Sequence, residues 1–258
     1  MSEIDVPLSR SGFGQTRRAD NWWVQPLFVF LGLSAFVVYS TWAALQGNYF
    51  RFGPYLSPFY SPELLGSSHS WFGPNPRWMP AWVTAAVLVL WAPGGFRVTC
   101  YYYRGAYYKA FWADPLSCTV GEPRKSYWGE RRLPLILQNV HRYFLYLALV
   151  FLVFLGHDVW NALWFEGHFG VGLGTLILLA NLVLLTCYTF GCHSLRHLVG
   201  GFRDRLSGAP VRKRAYDCVS CLNRRHMLFA WCSLFTVAFC DLYVRMCAMG
   251  VWTDWRIF

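Results

Sequence analysis

TCYTFGCHSLRHLVGGFRDRLSGAPVRKRAYDCVSCLNRRHMLFA, from Thr186 to Ala230, joins two apolar segments of the chain. It contains four cysteines, three histidines and eight basic residues. Two short runs within it, CHSLRH at 192–197 and CLNRRH at 221–226, each place a Cys five positions before a His. Because Cys and His are the usual ligands of zinc and iron, this stretch predicts a metal or redox centre between two helices.

The composition indicates a membrane protein. Hydrophobic residues make up 55% of the 258 residues and charged residues only 14%, whereas a soluble domain carries about 25% charged residues. The net charge of +10 does not indicate nucleic-acid binding, since no basic stripe lies on a soluble domain. The nine cysteines lack the regular spacing of a secreted disulfide scaffold. Since the first 20 residues are polar, no cleavable signal peptide is expected.

The apolar segments predict an all-α integral membrane protein, a bundle of about five transmembrane helices. The expected division is a polar cytoplasmic tail at 1–21 and a transmembrane domain at 22–258. The second span contains Pro93-Gly94-Gly95, which predicts a kink or a break. The predicted spans are 25–45, 78–100, 140–164, 171–198 and 227–251.

The basic residues predict the orientation. The N-terminal tail and the second and fourth loops with their flanks contain 19 of the 23 Lys and Arg residues. Since basic residues accumulate on the cytoplasmic side, the N-terminus is expected inside and the C-terminus outside. Thr186–Ala230 then lies at the cytoplasmic edge. Asp241 and Arg245, four residues apart in the last span, predict a structural ion pair that faces the bundle interior.

Four of the seven histidines are expected at this inner edge. His193 and His197 share a helix face, while His141 and His226 begin the third and fifth spans. A Rieske-like 2Fe–2S cluster is the favoured cofactor because each C-x4-H run offers one Cys and one His. Haem b, a zinc ion and no metal remain alternatives. The candidate ligands are Cys192, His193, His197, Cys218, Cys221 and His226.

Three segments, FRVTCYYYRGAYYKAFWADPLSCTVGEPRKSYWGE at 96–130, QNVHRYF at 138–144 and GCHSLRH at 191–197, resemble the membrane-anchor subunit of actinobacterial succinate dehydrogenase or fumarate reductase. The resemblance covers the chain from Phe96 to about Met249. It implies a multi-pass anchor in the bacterial plasma membrane that docks a flavoprotein and an iron–sulfur subunit, passes electrons from succinate to a quinone, and forms part of a possible higher oligomer. Many such anchors carry two haems held by four histidines, but the histidines here gather at one edge.

The quinone site needs an apolar slot open to lipid with hydrogen-bond donors. An alternative interpretation of the inner-edge aromatic residues is an interfacial belt. A second class of function, a non-redox scaffold or transporter, would use His157 and Asp158 with the Asp241–Arg245 pair, but no inverted repeat supports it. The candidate quinone-binding residues are Tyr101, Arg104, Tyr107, Tyr108, His141 and Arg142.

Overall fold

The computed structural model describes residues 12–66, 70–113, 115–123, 140–201, 203 and 205–258. Two hairpins, β1–β2 and β3–β4, are antiparallel. The elements are α1 Val24–Gln46, β1 Arg51–Phe52, β2 Tyr55–Leu56, a 3₁₀ turn at Pro58–Tyr60, α2 Ala85–Val89, α3 Trp91–Val98, α4 Tyr101–Tyr107, a π-helical turn at Tyr108–Trp112, α5 His141–Asn161, β3 Trp164–Phe165, β4 His168–Phe169, α6 Leu173–Phe190, α7 His193–Gly200, α8 Pro210–Asn223 and α9 His226–Ala248.

The all-α membrane architecture is confirmed, with a correction to the number of spans. Within the described ranges four helices, α1, α5, α6 and α9, are long and apolar enough to cross a membrane. The predicted second span, 78–100, instead contains the short helices α2 and α3. Pro93 has no N–H to donate to the carbonyl of Val89, and the helix is interrupted between these two residues.

The predicted fourth span, 171–198, is also shorter than expected. Helix α6 ends at Phe190, and Cys192 adopts an extended conformation as the N-cap of α7. Gly191 makes this sharp turn possible, since a Cβ there would lie 2.9 Å from the carbonyl oxygen of Cys187. Helices α7 and α8 then pack on each other at the edge that the basic residues predict to be cytoplasmic.

The long helices pack so that their inner ends converge. Helix α6 lies along α9, and α5 packs against both α3 and α6. The predicted ion pair in α9 is present: Arg245 Nε donates to Asp241 Oδ2 at 2.7 Å, and both side chains are buried. The predicted division at residue 21 stays a prediction. Residues 1–11 of that tail and the basic residues of 124–139 lie outside the described residues.

Candidate functional site

Two Cys–His pairs meet at the inner end of the bundle. His141 Nε2 lies 3.0 Å from Cys192 Sγ, and His226 Nε2 lies 3.5 Å from Cys100 Sγ. All four side chains line one cavity of about 820 Å³, which we call the inner cavity. Two of the pairs' members, His141 and His226, are the first residues of α5 and α9, while Cys192 and Cys100 are the N-caps of α7 and α4.

The position of these four residues at helix N-termini has an electrostatic consequence. The first N–H groups of a helix lack intrahelical partners, so an N-terminus carries a partial positive charge. The three helices α5, α7 and α9 direct that charge toward the cavity. This arrangement stabilises thiolates or any other negative charge held between the two pairs.

The ring of His141 is held in one orientation and one tautomer. Thr99 Oγ1 donates to the Gly95 carbonyl at 2.7 Å and lies 2.8 Å from His141 Nδ1. Because the Thr99 proton is already donated, the hydroxyl accepts from Nδ1–H. Phe96 stacks on the imidazole with ring centroids 4.6 Å apart. His141 Nε2 therefore presents its lone pair to Cys192, which is the arrangement of a metal-ligating histidine.

His226 is held by a similar stack. The ring of Tyr188 lies 4.9 Å from it, centroid to centroid. Two buried polar atoms beside the cavity, His226 Nδ1 and the Tyr188 hydroxyl, have no hydrogen-bond partner in the described part of the chain. Unpaired buried donors are costly, and a sulfide-containing cofactor or a partner carbonyl would satisfy them.

The two pairs do not form a single-ion site as they stand. In the ranges that the structure describes, no three His, Cys, Asp or Glu side chains are grouped closely enough to hold one metal ion. Burial raises the pKa of the Cys192 thiol to about 11, so without a metal it is protonated at neutral pH and its S–H faces His141. A metal would displace that proton.

Three of the six ligands predicted from the sequence, Cys192, His193 and His226, line the inner cavity, but only Cys192 and His226 belong to the two Cys–His pairs. His193 and His197 instead contact each other, with their Nε2 atoms 3.0 Å apart, and Cys218 and Cys221 are exposed. The two additional residues at the site are Cys100 and His141. Cys100 was not predicted because a lone Cys in an apolar segment ordinarily acts as a small hydrophobic residue. Its place at the inner end of the predicted second span, level with His141 and His226, was the available signal.

Of the six predicted quinone-binding residues, three line the inner cavity and three are not part of its lining. Tyr101, His141 and Arg142 line the inner cavity. Arg104 places its guanidinium 4.6 Å from the ring centroid of Tyr101. Tyr107 and Tyr108 stack on each other at 5.6 Å, at the junction of α4 and the π-helical turn.

A second cavity lies inside the bundle, and we call it the bundle slot. It begins at Phe96, Arg97 and Tyr188, beside the inner cavity, and extends outward to Phe59 and Leu155. Its volume is about 160 Å³ and its walls are mainly apolar. Arg97 donates to the Tyr103 hydroxyl at 2.7 Å and to Ser233 Oγ at 3.0 Å, which holds a positive charge at the inner end of the slot.

Comparisons with known proteins define the family. The family model described as actinobacterial succinate dehydrogenase subunit SdhC matches residues 24–250. The chain belongs to this family. It is also similar to a chain of the Mycobacterium smegmatis Sdh1 complex in the apo form, at 42% identity, 97% coverage of both chains and a TM-score of 0.88. No curated protein matched it.

Membership of the SdhC family confirms the resemblance drawn from the sequence. The chain is a membrane subunit of a succinate dehydrogenase complex in the bacterial plasma membrane, and its partners are the flavoprotein and iron–sulfur subunits of that complex. Membership of this family does not support the alternative of a free-standing transporter.

Proposed function

We propose that this SdhC chain passes electrons from the docked iron–sulfur subunit to a membrane quinone, and that Cys100, Cys192, His141 and His226 would hold a 2Fe–2S centre suited to that transfer. The observation that carries the proposal is the meeting of two Cys–His pairs in one cavity at the inner edge. Two cysteines and two histidines are the ligand set of a Rieske centre. The proposal keeps the cofactor predicted from the sequence and two of its six candidate ligands, Cys192 and His226, and adds Cys100 and His141.

The chain's own residues prepare this site for such a centre. Thr99 fixes the tautomer of His141, and Phe96 and Tyr188 hold the two imidazole rings. The thiols of Cys100 and Cys192 release their protons when they bind metal. When bound, the centre supplies one-electron transfer at a potential that the His ligands raise above that of all-Cys clusters.

The position of the site suits electron entry from the cytoplasmic side. The inner cavity lies at the edge where the soluble subunits dock, so an electron has a short distance to travel from them. Helix α8 exposes basic side chains at this edge, among them Lys213 and Arg214. A basic surface complements an acidic partner surface and orients its docking, although the same charges also satisfy the positive-inside rule.

We place the quinone in the bundle slot. Phe96 and Tyr188, which stack on the two candidate His ligands, also form the inner wall of the slot. Only the ring of Phe96 or of Tyr188 would separate a quinone in the slot from the histidine ligands of the proposed centre. Ligand pockets usually have about 300–1,000 Å³, so the slot of about 160 Å³ must widen by movement of its phenylalanine side chains.

Haem b is the alternative cofactor. A haem would need two opposing histidines, for which His141 or His157 could pair with His193 or His197, but the last two contact each other on α7. His141 and His157 are separated by about 24 Å along α5, from the helical rise per residue, so they cannot serve the same haem. His141 and His226 each contact a cysteine instead, an arrangement that favours the mixed Cys–His centre.

The test uses the whole complex and two sets of variants. We expect Cys100→Ser and His226→Ala each to remove the EPR signal of a His-ligated 2Fe–2S centre. Quinone reduction by succinate should fall at least a hundredfold, while succinate oxidation with a soluble dye, which the partner subunits perform, should persist. Cys221→Ser and His197→Ala are the matched controls and should leave both signals unchanged.

The outcomes separate the two ligand sets and the two cofactors. Loss of the signal in the control variants with retention in Cys100→Ser would reinstate the ligands predicted from the sequence. A sharp Soret band that disappears in His226→Ala would replace the cluster by haem b.

A further inference from the structure

The outer half of the bundle contains a cavity with charged walls, which we call the outer vestibule. Its volume is about 440 Å³. By the predicted orientation it opens on the side opposite the soluble subunits, so neither electron entry nor docking accounts for it. Its polar walls are formed by Arg51, Glu63, His157, Asp158 and Asn161.

Asp158 and Glu63 are the two buried acids among the described residues that line the vestibule, and Glu63 is paired with Arg51. The Asp158 side chain is only 11% exposed, whereas the neighbouring His157 is 58% exposed. Asp158 accepts a hydrogen bond from the hydroxyl of Ser61, and Ser61 is itself fully buried. An ionisable residue at membrane depth is expensive to keep and indicates function by default.

The other charged groups near Asp158 are engaged elsewhere. On the outer loop, Arg51 donates to Glu63 at 2.8 Å. On α9, Asp241 pairs with Arg245. His157 Nδ1 is 3.9 Å from Asp158 Oδ1, beyond hydrogen-bonding distance. Within the described residues, Asp158 therefore has no cation in direct hydrogen-bonding contact.

Two segments run from the bundle slot to the outer vestibule. On α5, Leu155 lines the slot and Asp158 lines the vestibule. Residues three apart share a helix face with about 5–6 Å between their Cβ atoms. On the outer loop, Phe59 lines the slot and Pro62 lines the vestibule, with Ser61 next to Pro62. The Ser61–Asp158 hydrogen bond therefore joins two segments that each contact both cavities.

We propose that Ser61 and Asp158 transfer protons from the outer aqueous phase to the quinone in the bundle slot. Reduction of a quinone consumes two electrons and two protons, and the electrons arrive from the cytoplasmic side. In each transfer the Ser61 O–H bond breaks as an O–H bond forms on the reduced quinone, directly or through a water. The Asp158 carboxyl group then gives its proton to Ser61 and regains one from water in the vestibule. This inference rests on the proposed function, because it requires a quinone in the slot.

The test reconstitutes the complex in liposomes with the soluble subunits outside and a pH-sensitive dye trapped in the lumen. Succinate oxidation releases two protons outside for each pair of electrons. If the quinone takes its protons through Asp158, the lumen becomes alkaline and the medium acidic as a short-chain quinone is reduced. If the protons come from the medium, neither compartment changes, and that result overturns the proposal.

Variants of Asp158 test whether this residue carries the protons. Asp158→Asn keeps the shape and the acceptor for Ser61 but carries no exchangeable acid proton, so quinone reduction should fall at least tenfold. Dye-linked succinate oxidation and the EPR signal of the centre should be unchanged, and Asp158→Glu should recover part of the rate. Glu166→Gln, which removes an exposed outer carboxylate, is the matched control and should have no effect.

The measurements distinguish failure of the proton path from failure of the proposed metal centre. A full rate of quinone reduction in Asp158→Asn overturns the proton path but leaves the metal centre intact. Absence of the EPR signal in the unmodified complex overturns the centre, whereas the lumen measurement still tests the path. If Asp158→Asn fails to assemble, the lumen pH measurement on the unmodified complex still shows from which side the quinone takes its protons.

Discussion

At the scale of single residues, Arg245 shows how a charge is accommodated inside this bundle. Besides Asp241, its guanidinium donates to the carbonyl oxygens of Asn48 at 2.9 Å and Ala43 at 2.7 Å. The Ala43 carbonyl belongs to the last turn of α1, where carbonyls lack intrahelical partners. Arg245 therefore provides a hydrogen-bond donor for a carbonyl at the end of α1 and links α9 to α1.

Arg245→Met should destabilise the anchor strongly. It leaves Asp241 buried without its cation, and breaking one partner of a buried pair costs about 3–5 kcal/mol. Lys213→Met is the matched control, because Lys213 and Asp217 have the same spacing and the same 2.7 Å contact but are more than half exposed. That pair is worth about 0–1 kcal/mol. Thermal unfolding of the purified complex measures both, and equal shifts in the midpoint would contradict the structural role of Arg245.

At the scale of elements, α3 positions one half of the candidate site. It packs against α5 and contributes Phe96, which stacks on His141. The close approach of the two helices depends on Gly95, where a Cβ would lie 2.2 Å from the ring of Phe144. The Pro-Gly-Gly sequence that interrupts the second span thus also permits this contact.

Gly95→Ala should separate α3 from α5. Overpacking of this kind costs about 1–3 kcal/mol, and the displaced Phe96 and Thr99 would no longer hold His141. We expect a lower unfolding midpoint together with a broadened or shifted EPR signal of the proposed centre. Gly105→Ala is the control, because a Cβ at Gly105 on α4 meets nothing within 4 Å. Unchanged stability and spectra in Gly95→Ala would show that Phe144 turns aside without consequence.

At the scale of the whole molecule, the orientation in the membrane determines which half of the bundle meets the soluble subunits. The three exposed cysteines, Cys118, Cys218 and Cys221, all lie on the side predicted to be cytoplasmic. The candidate site lies at the same side, and the outer vestibule lies at the other.

A membrane-impermeant maleimide should therefore label the anchor in inverted membrane vesicles but not in intact spheroplasts. The expected difference is at least tenfold, provided that the soluble subunits are first stripped from the vesicles. Replacing Cys118, Cys218 and Cys221 together by Ser should abolish the labelling. Strong labelling of the unmodified anchor in spheroplasts would reverse the orientation, and with it the direction of electron entry.

The family and much of the fold could be predicted from the sequence. Long uncharged segments have only one favourable conformation in lipid, since every backbone polar group must be bonded within the segment. The sequence accordingly predicted α1, α5, α6 and α9 as spans. The ion pair Asp241–Arg245 was predictable as well, because two charges four residues apart on one helix face one another. The sequence predicted a kink or a break at Pro93-Gly94-Gly95. Whether the second span divides into α2 and α3 is decided by the local backbone conformation, which only the structure shows.

The grouping of the candidate ligands was decided by tertiary structure. Spacing along the chain identified CHSLRH and CLNRRH as similar runs, but similarity of spacing does not bring side chains together. His193 lines the inner cavity, but its Nε2 contacts His197 one turn along α7 and not a cysteine, and His197 lies outside the lining of that cavity. Cys100 and His141 are 41 positions apart and come from different helices, and only the packing of α3 on α5 brings them to the same cavity. The sequence determined which edge of the membrane holds the reactive residues, through charge and hydropathy. The tertiary structure decided which of those residues meet, because helix ends converge by packing and not by order in the chain.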